Sequence, residues 1–304
     1  MSTANRIIPK INKGPCYVFH MMSCAKCGYD NDYGRKYAPI HSENSLAELK
    51  KREKLITVKG GEHVGQLYWI LVCVPASIET RVDLYYKQLY SLFSAKSGDV
   101  MEYFSPYGFT NPLDVYGKWG EFAHDIAVIS KILADNYAVF LDMAWEAEQA
   151  QLLPYTEKIK LAFDTNGVSS ALEAYVGVTP NTDFYPYFCN SLDGGAQAID
   201  VSINKHVFGI GRDIESEVRF IAHEYVIFLL KHVFTDVVPL SKMMRLWIYT
   251  ESLAAFYLGK VFNEKHIFLK DRKHYIESYK KLHAENPSWT AKELFAAVTS
   301  EMNI

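Results

Sequence analysis

The chain of 304 residues lacks any long apolar run, and nothing in it reaches the roughly 18 consecutive apolar residues of a membrane-spanning helix. Its longest apolar stretches, Leu67–Val74 and Ile221–Leu230, are strand-sized and helix-sized, and the second is interrupted by His223 and Glu224. The first residues, MSTANRIIPKINKGPCYVF, have neither the apolar core nor the small-residue cleavage site of a secretory leader. Cysteine is scarce, five in all, which is no disulfide scaffold in a chain this long; a cytoplasmic protein with reduced thiols is expected. There is no excess of positive charge, 32 Lys and Arg against 35 Asp and Glu for a net charge of −3, so neither a nucleic-acid nor a membrane partner is expected. Internal repeats and low-complexity linkers are absent too.

What is present is a globular composition, 49% apolar and 22% charged, with an aromatic share of 14% that suits a thick core. Residues 1–60 are rich in turn formers and polar aromatics and read as an irregular N-terminal extension, holding one charged helix over Ser45–Lys54 with Ser45 as its cap and Glu48 in capping-box position. Residues 61–304 read as one α+β domain, mainly helical with a small mixed sheet. Gln66–Val74, aromatic and β-branched, predicts a buried strand. Val82, Tyr85, Tyr86, Leu89 and Leu92–Phe93 follow helical spacing, and two further helices are expected over Phe122–Leu133 and Val139–Ala150, the first connection being punctuated by Pro106 and Pro112. A charged amphipathic helix is placed around Tyr155–Phe163. Strands are predicted at LEAYVGV (172–178), FYPYFCNSL (184–192) and Ala196–Ile203, then helices from Asp213 to Val233 and from Ser241 to Val261, then two short helices parted by Asn286-Pro287.

The stretch with most chemistry is GIGRDIESEVRFIAHEYVIFLLKHVF, residues 209–234, where an imidazole and a carboxylate, His223-Glu224, enter an apolar helix that cannot bury them cheaply without partners. Ahead of it lies an expected edge strand introduced by Asp193-Gly194-Gly195. Behind it a second helix, RLWIYTESLAAFYLGK, carries Glu251 within an apolar face.

That order, over residues 185–260, resembles the gluzincin metallopeptidases, whose first helix carries H-E-x-x-H and whose next carries a glutamate ligand. The resemblance implies His223 and Glu251 as zinc ligands, Glu224 as general base on a zinc-bound water, and Tyr249, beside Glu251, as oxyanion stabiliser. It implies peptide hydrolysis, with a peptide or protein as substrate or partner. The sequence departs from the family at the second histidine, where Ile227 stands. His232, nine residues after His223, faces the other way by helical periodicity, which leaves His124 and His206 as alternative donors. Two other readings stay open: a degenerate zincin that binds a peptide or protein partner in the old cleft, and a coincidental motif, for which His223 and Glu251 would lie apart. Separately, Cys16, His20, Cys24 and Cys27 crowd within 12 residues, closer than the two ligand pairs of a structural zinc site usually stand, so that free thiols are favoured there.

Overall fold

The computed structural model describes residues 5–28, 30–59, 63–95, 120–192, 198–234, 240–262 and 273–301. They are mainly helical, with a three-stranded mixed sheet, an α+β architecture. They cluster into two compact units. One, the amino-terminal unit, comprises the described residues of Lys10–Thr156 and Tyr187–Gly211; the other, the helix-pair unit, those of Met1–Pro9, Glu157–Pro186 and Arg212–Ile304. No helix among the described residues is long and apolar enough to cross a membrane.

The amino-terminal unit is built around helix α1 (Lys13–Cys24), which is buried from Gly14 to its end. Such a helix needs close neighbours, and glycine provides for them: a Cβ on Gly14 would stand 1.7 Å from the Ile78 carbonyl oxygen, and one on Gly34 would stand 2.4 Å from that of Ser23. Helices α2 (Asp32–Tyr37), α3 (Glu43–Lys51) and α4 (Glu53–Ile56) follow. The expected irregular extension is therefore corrected: these residues fold into helices and belong to the same unit as residues 63–156. Turn-forming residues here mark the boundaries of short helices and do not signal an absence of helix. The cap of α3 is Ser42, whose side chain accepts the Ser45 N–H, three residues earlier than expected.

Strands β1 (Val58–Lys59) and β2 (His63–Val64) pair antiparallel. The run after them is not a strand: Trp69–Cys73 forms a π-helical turn that continues into Val74–Ala76. A short apolar run buried on all sides has no periodicity to tell strand from helix. Its wide turn leaves carbonyls to satisfy, and two tyrosines of α5 (Val82–Ala95) do so, Tyr85 donating to Ile70 at 2.6 Å and Tyr86 to Leu71 at 2.8 Å. Val82, Tyr85, Tyr86, Leu89 and Phe93 form the buried face of α5 as their spacing predicts, and α5 packs along α6 (Ala123–Phe140). Pro106 and Pro112 lie outside the described residues. The two helices expected over 122–150 are one helical run, α6 passing through a π-helical turn at Leu141–Trp145 into α7 (Glu146–Asn166), which takes in the amphipathic segment around Tyr155–Phe163.

The sheet orders β3 (Tyr185–Cys189), β5 (Lys205–Gly209) and β4 (Ala198–Ser202), so β4 is an edge strand. β4 and β5 pair antiparallel with Asp200 opposite His206 and a register shift just beyond. Asp193–Gly195 lie outside the described residues.

In the helix-pair unit the segment expected as a strand at 172–178 is helical. Helix α8 (Val168–Val176) buries Val168, Leu172 and Val176 at intervals of four, and Gly177, at φ +77°, ends it with its N–H on the Glu173 carbonyl. α8 packs on α9 (Ile214–Phe234) and α10 (Leu240–Phe262), which pack on each other. Helices α11 (Lys273–Glu285) and α12 (Ala291–Glu301) cover α10. Thr290 and Glu293 form a reciprocal capping box at the start of α12, beyond the expected break at Asn286-Pro287.

Candidate functional site

α9 is buried on most sides, and its polar residues reach partners on neighbouring segments. Glu217, fully buried, takes Arg212 at 3.2 Å, and Tyr225 donates to Glu173 on α8 at 2.7 Å. His223, 4% exposed, meets Glu251 on α10: its Nε2–H donates to Glu251 Oε2 at 2.8 Å, joining residues 28 apart in sequence. The two helices thus bring together the two expected metal ligands. Their contact is a direct hydrogen bond.

The other expected members are placed differently. Ile227 is buried one turn after His223 and offers carbon where the family has nitrogen. Among the described residues, His223 and Glu251 do not belong to a group of three convergent metal-ligand side chains. Glu224 is half-buried on α9. Tyr249 sits two residues before Glu251, about 200° round the helix, so its ring leaves on the opposite side. There it packs on Tyr275 with ring centroids 4.9 Å apart, while its carbonyl accepts the Tyr279 hydroxyl at 3.3 Å. Burial raises the pKa of its phenol. The structure thus places the Tyr249 ring in a contact with Tyr275, away from the Glu251 side of the helix. His232 donates from Nδ1 to the Phe228 carbonyl of its own helix at 2.9 Å. Of the alternative donors, His206 is fully buried on β5, 2.9 Å from Asp200, and His124 is exposed in the first turn of α6.

The four N-terminal residues separate into different environments. Cys27 turns toward the Ala25 carbonyl, 3.8 Å away. Cys16 donates to the Phe188 carbonyl at 3.4 Å and lies 3.7 Å from Cys189 Sγ. All five cysteines are free thiols and buried. His20 and Cys24, one turn apart on α1, converge instead with a residue the sequence did not single out: His20 Nε2 lies 2.8 Å from His41 Nε2 and 3.7 Å from Cys24 Sγ. Behind them, His20 Nδ1 is 2.8 Å from the Tyr33 hydroxyl, Tyr33 donates to Glu148 at 2.5 Å, and His41 Nδ1 is 2.8 Å from Asn136 Oδ1. Burial dominates the proton affinities here. It pushes His20 down to about 3, aided by His41 beside it, lowers His41, and lifts the Cys24 thiol to about 12. It also lifts Glu148 to about 7, against the opposing pull of the bonds from Tyr33 and the Asn190 N–H. The signal that would have found this set is the i, i+4 spacing of His20 and Cys24, which places both on one helix face.

A surface recess of about 310 Å³ in the same unit is lined by Lys13, Arg81, Asp83, Lys87 and Tyr137. Asp83 engages both Arg81 at 3.0 Å and Lys87 at 2.9 Å, so much of its charge is matched internally.

Comparison of the chain with known protein families, with curated proteins and with solved structures found no match in any of the three.

Proposed function

We propose that this chain is a catalytically degenerate relative of the gluzincins, which keeps their helix pair as a packed frame and binds a peptide or protein partner without hydrolysing it. The observation that carries the reading is the direct His223–Glu251 hydrogen bond, with buried Ile227 where a third ligand would stand. A catalytic zinc needs three protein ligands and an open position. Here two of the ligands are spent on each other. Within the amino-terminal unit, the edge strand β4 is where an extended peptide would pair through main-chain groups.

A second reading, an active zinc metallopeptidase, draws on the same contact. A metal ion entering between His223 and Glu251 would need a ligand from another segment, and half-buried Glu224 would then serve as general base.

Zinc content and peptide cleavage, compared among wild type, Ile227→His, His223→Ala and Glu224→Gln, separate the two. Degeneracy predicts no cleavage by wild type and no zinc that His223→Ala removes, whereas Ile227→His gains zinc that depends on His223. Zinc-dependent cleavage by wild type, abolished in Glu224→Gln, would overturn degeneracy and establish the hydrolase.

A further inference from the structure

We propose that His20, Cys24 and His41 form a binding site for a zinc-class divalent ion, within the amino-terminal unit and independent of the helix pair. All three side chains are buried, and their ligand atoms lie within 4.8 Å of one another. α1 supplies His20 and Cys24 from one face, and His41 arrives from the residue after the 3₁₀ turn Ala38–Ile40.

The protons decide what the cluster is for. Asn136 donates its Nδ2 to the Ile132 carbonyl at 2.8 Å, which fixes the amide with Oδ1 toward His41. That oxygen only accepts, so His41 carries its proton on Nδ1 and presents a bare lone pair at Nε2. On the other side, with Glu148 ionised, Tyr33 donates a hydrogen bond to it, and the second carboxylate oxygen accepts the Asn190 N–H at 3.3 Å. The Tyr33 oxygen then accepts from His20 Nδ1, and His20 Nε2 is bare as well. Two lone pairs face each other 2.8 Å apart, with a thiol beside them, in a buried place. That arrangement is repulsive unless a cation stands between them. Histidines whose outer nitrogens donate to a carboxylate relay or an amide oxygen, leaving the inner ones free, are the usual support of a metal site.

Charge and distance agree with this. A divalent ion, the Cys24 thiolate and the Glu148 carboxylate sum to zero, as a buried site requires. On a tetrahedral zinc, nitrogen–nitrogen and nitrogen–sulfur spacings are about 3.3 and 3.6 Å, so the imidazoles need part by only about 0.5 Å. Two imidazoles and a thiolate suit zinc, and cobalt reports on the same ligands. The bound ion would clip α1 to the segment entering α3. Run in reverse, with Glu148 protonated and His20 Nε2 donating to His41, the same chain is a hydrogen-bond relay that binds no metal.

The test is a Co²⁺ titration of the full chain, made without an affinity tag and stripped by chelation. We expect about one cobalt per chain with thiolate-to-cobalt charge-transfer absorption, lost in Cys24→Ser, altered in His41→Gln and unchanged in His223→Ala. Zn²⁺ should also slow alkylation of Cys24, mapped by mass spectrometry in wild type. A wild type with no charge-transfer band at excess cobalt and no Zn²⁺ protection of Cys24 would overturn the site in favour of the relay. A band that survives in Cys24→Ser would also overturn it. The wild-type readouts decide the matter even where a variant fails to fold.

Discussion

A double-mutant cycle on His223 and Glu251 asks whether the two helices are held by the contact on which the functional reading rests. Their side chains are 5% and 12% exposed, so the bond between them is only weakly screened by solvent. A hydrogen bond to a charged group in such a place contributes about 1.5–3 kcal/mol. Glu251→Ala should therefore cost about 2 kcal/mol, and His223→Ala about 3, since it also removes a buried ring. The double variant should cost less than the sum, with a coupling of about 1.5 kcal/mol. Urea denaturation, followed by far-UV circular dichroism and by tryptophan fluorescence, measures this; Trp247 lies on α10, the helix of Glu251. Two compact units can unfold in two steps, and the cycle is then read on the step that the variants move. A coupling below about 0.3 kcal/mol, the ordinary scatter of independent sites, would refute the contact and with it the case that the metal position has been closed.

Four further outcomes are expected. In metal-stripped protein, Glu148, raised from 4.5 to about 7 in the folded state, contributes stability that is complete below about pH 4.5 and lost as pH rises through 7. The loss amounts to about 3 kcal/mol (2.5 pH units at 1.36 each), and Glu148→Gln should flatten that window in a pH series of denaturation curves. Gly14→Ala, whose Cβ would meet backbone at Ile78, should cost at least about 3 kcal/mol or abolish soluble expression, as thermal melts would show. Tyr225→Phe leaves buried Glu173 without that donor and should lower stability by about 2 kcal/mol in the same denaturation assay. Ile227→His, beyond the zinc gain expected above, should lose about 2 kcal/mol in the absence of metal, because it puts a polar ring where a buried aliphatic packs.

The parts of this protein that were legible in the sequence are those whose signal is long or periodic. α5 showed its buried face through Val82, Tyr85, Tyr86 and Leu89, and α9 and α10 were long enough to be placed within a residue or so. Two long helices in succession, each carrying an acidic or imidazole residue in an apolar face, have reason to bring such residues together, and His223 and Glu251 do meet. Short apolar segments misled in both directions. LEAYVGV is a helix because Val168, before the segment considered, completes an interval of four with Leu172 and Val176. WILVC is a π-helical turn whose carbonyls are satisfied by tyrosines 15 residues on, beyond the reach of a local pattern. The convergence of His20 and Cys24 with His41 is likewise not written in any local pattern. A C-x-x-C pair draws attention to Cys27, yet α1 ends at Cys24 and the chain turns at Lys26 (φ +55°), so Cys27 leaves the helix face that His20 and Cys24, four residues apart, share. Their third partner, His41, lies 21 residues after His20, beyond a turn and a short helix, where no local pattern announces it. Tertiary packing alone brings it there. Such packing requires the glycines at 14 and 34, so these two glycines and the His20–Cys24–His41 cluster belong to one physical cause: a helix too deeply buried to be an extension of anything.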